Sequence, residues 1–207
     1  MRKITFFLLC SFLLFSCVPA PQTPTQTITV YATSAAEPWL RGLFTCAADL
    51  SLTLKISAES PDIYLRLGEP EIFISPVYQI GEEEILVVTQ LESAVQDLTL
   101  AEVRKLFADG NPSAQVWGYA SGTDMQIVFD QFVMEERSVS SSVRVAFSVQ
   151  NMVDVLKSEP AAIGILPRQM LTDDLRAVYS VGKVPVLAVV KENAAGQAKT
   201  LLACLSN

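Results

Sequence analysis

Two short stretches carry the residue types that could take hold of a ligand: Thr33-Ser34 and Ser121-Gly122-Thr123. Each stands between an apolar strand pattern and a helix pattern. Hydroxyls and free backbone N–H groups then gather at a helix origin, where unpaired amides and the helix dipole favour a carboxylate or other anion. Ser34 with Glu37, and Thr123 with Gln126, also have the spacing of a capping box. The chemistry on offer is noncovalent capture of an anion, and its plainer alternative is helix capping alone. Arg66 lies on the strand pattern Asp62–Leu67 and is either a cation for such a site or a surface arginine.

Other chemistries find little support. The chain of 207 residues has no histidine, which removes Ser-His-Asp and Cys-His catalysis, His-ligated zinc and His-based pH sensing. Glu82, Glu83 and Glu84 are consecutive on a strand pattern, so their side chains point to different faces and read as a solvated edge. No Gly-rich phosphate loop, metal-ligand cluster or nucleophile–base pair is visible, so neither catalysis nor a metal or cofactor is expected. A net charge of -7 without a basic stripe argues against nucleic acid.

The elements that must position these stretches can be read in order. Ile28–Tyr31 is a buried-strand pattern, followed by a helix bearing Trp39, Leu40, Leu43, Phe44 and Ala47, with Pro38 in its first turn. Leu52, Leu54 and Ile56 alternate with polar residues as in a half-exposed strand, and Asp62–Leu67 forms the next. Ile85–Thr89 and Val184–Val190 are continuous apolar runs, the mark of strands covered on both faces. Thr99 and Glu102 form a capping box for a helix from Leu100 to about Ala108, which Asp109-Gly110-Asn111-Pro112 stops. A strand at Gln115–Tyr119 precedes the helix that carries Ile127, Phe129, Phe132 and Val133. Val143–Phe147 reads as a strand, Ser148 caps a helix with Met152, Val153, Val155 and Leu156, Pro160–Pro167 is a short buried strand, and Ala195–Leu205 is a last helix. Strands alternating with helices indicate an α/β fold.

The first residues have a different character. Arg2 and Lys3 precede an apolar run, Ile4–Phe15, that is too short to span a bilayer, so residues 1–16 read as a signal peptide. Leu14-Phe15-Ser16-Cys17 resembles a bacterial lipobox, which implies that Cys17 is lipidated; the alternative is an ordinary secretory cut near Ala20. Val18–Gln26, rich in Pro, Thr and Gln, is a tether between the lipid and the folded part. Losing the leader removes two of the 15 basic residues and none of the 22 acidic ones, leaving about -9 on the remainder. Cys46 and Cys204 then remain outside the cytoplasm, either paired as a disulfide or packed as two buried thiols.

Five blocks, EEEILVVTQ, LTLAEVRKLFADG, ASGTDMQIVFDQFVM, SVQNMVDVLKSEPAAIGILP and VPVLAVVKENAAGQAKTLLACLSN, together resemble the phosphate-type periplasmic solute-binding proteins of ABC importers. These belong to the two-lobed type II periplasmic-binding-protein superfamily. The resemblance implies residues 27–89 plus 182–207 as lobe one and 90–181 as lobe two, with the two apolar runs as crossings. It also implies a monomer, lipid-anchored on the extracytoplasmic face of the cell membrane, that holds a small anionic solute between the lobes and serves an ABC permease or membrane sensor. Thr33, Ser34, Arg66, Ser121, Gly122 and Thr123 are the ligand residues it points to. Two departures stand out. Only Ser57–Pro61 remains where a helix usually separates two strands of lobe one, so that lobe is reduced. Trp117 occupies the place of the family's oxyanion-binding arginine, where it either packs in the core of lobe two or offers a ring surface to a ligand. These departures keep open a second reading, a protein-interaction or sensor lipoprotein that retains the fold without ligand capture.

Overall fold

The two apolar runs form the C-terminal parts of the longest strands of the computed structural model, which describes residues 27–69, 75–111, 113–135, 137–192 and 195–205. Pro70, Pro112 and the leader, Cys17 and tether lie outside those residues. The strands are β1 (Thr27–Ala32), β2 (Thr53–Ile56), β3 (Ile63–Leu67), β4 (Val77–Gln90), β5 (Gln115–Tyr119), β6 (Arg144–Ala146), β7 (Ala162–Pro167) and β8 (Leu175–Val190). They form one sheet in the order β2-β1-β3-β8-β4-β7-β5-β6.

β4 and β8 are antiparallel from Val77↔Val189 to Gln90↔Leu175 and make the spine on which both halves hang. β3 joins the spine through β8, from Leu67↔Val186 to Ile63↔Val190, and β7 joins it through β4, from Ile85↔Pro167 to Thr89↔Ile163. Ile85 through Val88, Val186, Ala188 and Val190 are fully buried. The remaining parts of both strands alternate between buried and open positions, so they lack a continuous apolar signal. Because Ile85–Thr89 pairs with β7, β4 enters the second half of the sheet ahead of the boundary expected at Gln90.

The short link between β2 and β3 is explained by register. Both strands run parallel to β1, but β2 flanks its first part, Thr27↔Thr53 to Val30↔Ile56, and β3 its second, Val30↔Ile63 to Ala32↔Leu65. β2 therefore ends at the level where β3 begins, and no return crossover is needed. The link is pinned where it passes β1: Ser57 N donates to Val30 O at 2.9 Å, and the Asp62 carboxylate accepts from Thr29 N and Oγ1 at 2.8 and 2.7 Å.

Among the described residues five helices cover the sheet: α1 (Leu40–Asp49), α2 (Leu100–Asp109), α3 (Asp124–Phe129, continuing as a π turn over Asp130–Met134), α4 (Val149–Ser158) and α5 (Ala195–Leu205). The cap of α2 is complete, with Glu102 N donating to Thr99 Oγ1 and Thr99 N to Glu102 Oε2. Ser148 caps α4 by accepting from Asn151 N at 3.0 Å. The expected Ser34–Glu37 box does not form. Thr33 makes the turn instead, its Oγ1 accepting from Ala36 N at 3.2 Å, and a 3-10 turn at Glu37–Trp39 leads into α1. Phe107 of α2 and Phe129 of α3 are fully buried with ring centroids 4.4 Å apart, each burial contributing about 1.5–3 kcal/mol. Cys46 of α1 and Cys204 of α5 are joined by a disulfide across 158 positions of sequence.

Candidate functional site

Thr33, at the end of β1, and α3, which follows β5, meet across the two halves of the sheet. The Thr33 hydroxyl donates to Asp124 Oδ2 at 2.5 Å, and the same oxygen accepts from Leu67 N at 3.0 Å. The other carboxylate oxygen accepts from Met125 N at 2.9 Å, within the first turn of α3. Donors from both halves thus converge on one carboxylate, which is 6 % exposed. A buried carboxylate is tolerated when its oxygens are bonded, and here both are. The anion held between the ends of β1 and β3 and the first turn of α3 is a side chain of the protein itself.

The packing around this carboxylate is close. Gly68, with φ +69°, approaches Val128 of α3 so tightly that a Cβ there would lie 2.8 Å from the valine side chain. Tyr119 is buried, its hydroxyl donating to Ile165 O at 2.8 Å. Burial, and secondarily the charge of Asp124, push that phenol far above its ordinary range. Tyr64, stacked on Tyr31 at 5.9 Å, is raised by the same two causes in the same order.

The residues singled out in the sequence are placed unequally. Thr33 is a direct partner of the carboxylate. Ser34, beside it, is exposed and lines an 840 Å³ groove with Trp39, Arg41, Gln150 and Met170; none of Thr33, Arg66, Ser121, Gly122 and Thr123 lines that groove. Ser121 and Gly122 stand exposed on the turn before α3, and Gly122 adopts φ +87° with open space where a Cβ would go. The Thr123 hydroxyl caps α3: it donates to Ala120 O and accepts from Gln126 N. Only that half of the Thr123–Gln126 box forms, because the Gln126 side chain instead accepts from Tyr119 N and donates to Asp130. Arg66 reaches its neighbour's carbonyl, Leu67 O, at 3.5 Å and makes no ion pair with Asp124 among the described residues. Trp117 is half-buried at the β5–β6 edge with Arg144 5.5 Å from its ring centre, so it packs within the second half.

The glutamate run departs from its expected role as a solvated edge. Glu83 is 4 % exposed and bridges the halves, accepting from Trp39 Nε1 at 3.4 Å and from Gln169 N at 3.2 Å. Burial raises its pKa against the pull of those bonds. Gly81 makes room, since a Cβ there would lie 2.2 Å from the Trp39 ring. Glu84 bonds Arg168 Nε at 2.5 Å and Ser180 Oγ at 2.6 Å, which hold its carboxyl below the usual range. Glu82 alone is exposed. Asp124 and Glu83 are the seam residues that sequence reasoning missed. An acid just after a capping threonine is ordinary helix chemistry, and nothing local reveals its distant donors.

Among the described residues no group of His, Cys, Asp or Glu is placed to hold a metal ion, and no helix is long and apolar enough to cross a membrane. No protein-family model matches the chain, and neither does any curated protein. Solved structures do. A protein from Clostridium perfringens described as a phosphate ABC transporter substrate-binding protein, solved with phosphate bound, superposes with a TM-score of 0.75 at 13% identity, covering 87% of this chain and 93% of that one. An ABC-type phosphate transport receptor from Vibrio cholerae gives 0.64 at 12%, with 87% and 93% covered. The reduced regulatory domain of OxyR2 from Vibrio vulnificus gives 0.67 at 12%, with 88% and 95% covered. With the sheet order and the β4–β8 spine, these similarities give the chain the α/β, two-lobed type II periplasmic-binding-protein-like fold.

Proposed function

We propose that this chain is an extracytoplasmic, lipid-anchored solute-binding protein that takes a small anionic solute between its lobes and works beside an ABC permease or membrane sensor. The observation that carries the reading is the convergence of the Thr33 hydroxyl and the Leu67 and Met125 amides, donors from both lobes, on a single anion position. Likeness in fold to two phosphate-transport proteins supports it. Asp124 holds the position in the closed arrangement, so a solute reaches the same donors from an opened form and shifts the population by binding the closed form more strongly. The anchor is Cys17, and the tether through Gln26 holds the lobes off the bilayer.

A thermal-shift screen of oxyanions and small organic acids tests the binding. The expected result is a saturable stabilisation by at least one anion that Thr33→Ala abolishes. No hit in the wild type or in a variant lacking the Asp124 carboxylate transfers the assignment to the second reading, an interaction or sensor lipoprotein without ligand capture. That second reading is favoured by one specific observation, the occupation of the anion position by the chain's own carboxylate.

A further inference from the structure

We infer that Asp124 is a tethered substitute for the solute, keeping the two lobes shut when no solute is bound. The inference rests on the reading above in one respect: it takes the position between Thr33 and α3 as the solute's place. Its grounds are geometric. One carboxylate oxygen accepts from two groups of lobe one, Thr33 Oγ1 and Leu67 N, although Asp124 itself belongs to the helix of lobe two. The second oxygen is held by Met125 N, which fixes the carboxylate's orientation from its own side. The group is almost wholly buried, and beside it Val128 packs against Gly68 with no space between them. An anion bonded by both lobes in a dry seam does the same work whether it is free or covalently attached. Attachment changes its effective concentration, which is high for a group already positioned by its own helix.

Two consequences follow for the cycle of opening and closing. The closed form is populated without ligand, so a membrane partner that recognises it engages the protein irrespective of solute supply. A free anion must also compete with a tethered one, which weakens its apparent affinity by the factor by which the internal group wins.

The test uses the full chain, labelled with nitroxides at Asp49→Cys on α1 and Gln150→Cys on α4, both exposed positions. The inter-lobe distance distribution is then measured by pulsed electron resonance. Wild type is expected to give one short distance with no anion added. Asp124→Ala is expected to lengthen and broaden it, and acetate or formate, sized to refill the vacated position, to restore the short distance. Asp124→Asn keeps the shape but replaces one accepting oxygen with an NH2 that faces a donor, so its distance should fall between those of wild type and Asp124→Ala. In parallel, Asp124→Ala should bind acetate or phosphate at least tenfold more tightly than wild type. Should Asp124→Ala fold poorly, Thr33→Val removes a donor from the other lobe and should also open the seam. An Asp124→Ala distribution identical to wild type, or an opened one that acetate binds without closing, overturns the inference. Opening by Asp124→Ala with no anion binding in any variant leaves the latch standing and removes the solute-binding reading instead.

Discussion

The two lobes show the same strand–turn–helix arrangement at the seam but are held together by different means. Lobe two has complete or half capping boxes on α2 and α3, a capped α4, and the buried Phe107–Phe129 pair. Lobe one has no side-chain cap on α1, a largely exposed edge strand β2, and a six-residue passage from Ile56 to Ile63 in place of a helix; it carries the disulfide between α1 and α5. A small lobe with little apolar area to bury relies on a covalent cross-link, whereas a lobe with three good helices relies on local bonds and packing.

The largest expected effect comes from breaking the cross-link. Cys46→Ala with Cys204→Ala should lower the unfolding free energy by about 5 kcal/mol, the loop-closure value for so long a ring. Hydrogen exchange should rise first in α1 and α5. An equal rise in α2 and α4 would break the contrast between the lobes. Next come the caps. Thr99→Ala should cost about 1 kcal/mol in denaturant unfolding, while Ser34→Ala, at the box that did not form, should stay within about 0.5 kcal/mol. Equal costs would mean that lobe one is capped after all.

The smallest effect lies between the lobes, at Glu83, and is set by pH. Its folded pKa is raised by burial, so the folded state holds the proton more tightly than the unfolded chain does. The stability it contributes is present below the ordinary carboxylate range and is lost as pH rises through the raised value. Glu84 has the opposite sign: Arg168 and Ser180 depress its pKa, so its contribution is present above the ordinary range and is lost in acid. Glu83→Gln should therefore gain melting temperature relative to wild type as pH rises from acid to neutral. A difference between the two proteins that does not change with pH would remove this account.

How much of the fold was legible depended on the range of the interactions. The Thr99–Glu102 box, the Ser148 cap and the two apolar runs rest on neighbours within a turn or on uninterrupted burial, and residue order alone reveals them. Ser34 and Glu37 have correct cap spacing too, but the turn forms one residue earlier, with Thr33 Oγ1 accepting from Ala36 N, and spacing does not tell which hydroxyl makes the turn. The reduced first lobe was legible as a missing helix, though not its remedy. The stagger of β2 and β3 along β1 is a matter of register, which a short strand's own side chains do not specify.

By itself the sequence determined the class of fold, the absence of histidine chemistry, the hydroxyl-bearing turns at Thr33 and Thr123, and Cys46 and Cys204 as a candidate pair, either bridged or packed as thiols. The tertiary structure alone decided what those turns hold. Asp124 meets Thr33 across 91 positions and Leu67 across 57, and Glu83 leaves solvent to join Trp39 and Gln169. The physical reason is that a hydroxyl or carboxylate bonds whatever lies within about 3 Å, and for groups so far apart in sequence that neighbour is set by how the two halves of the sheet close on their shared spine.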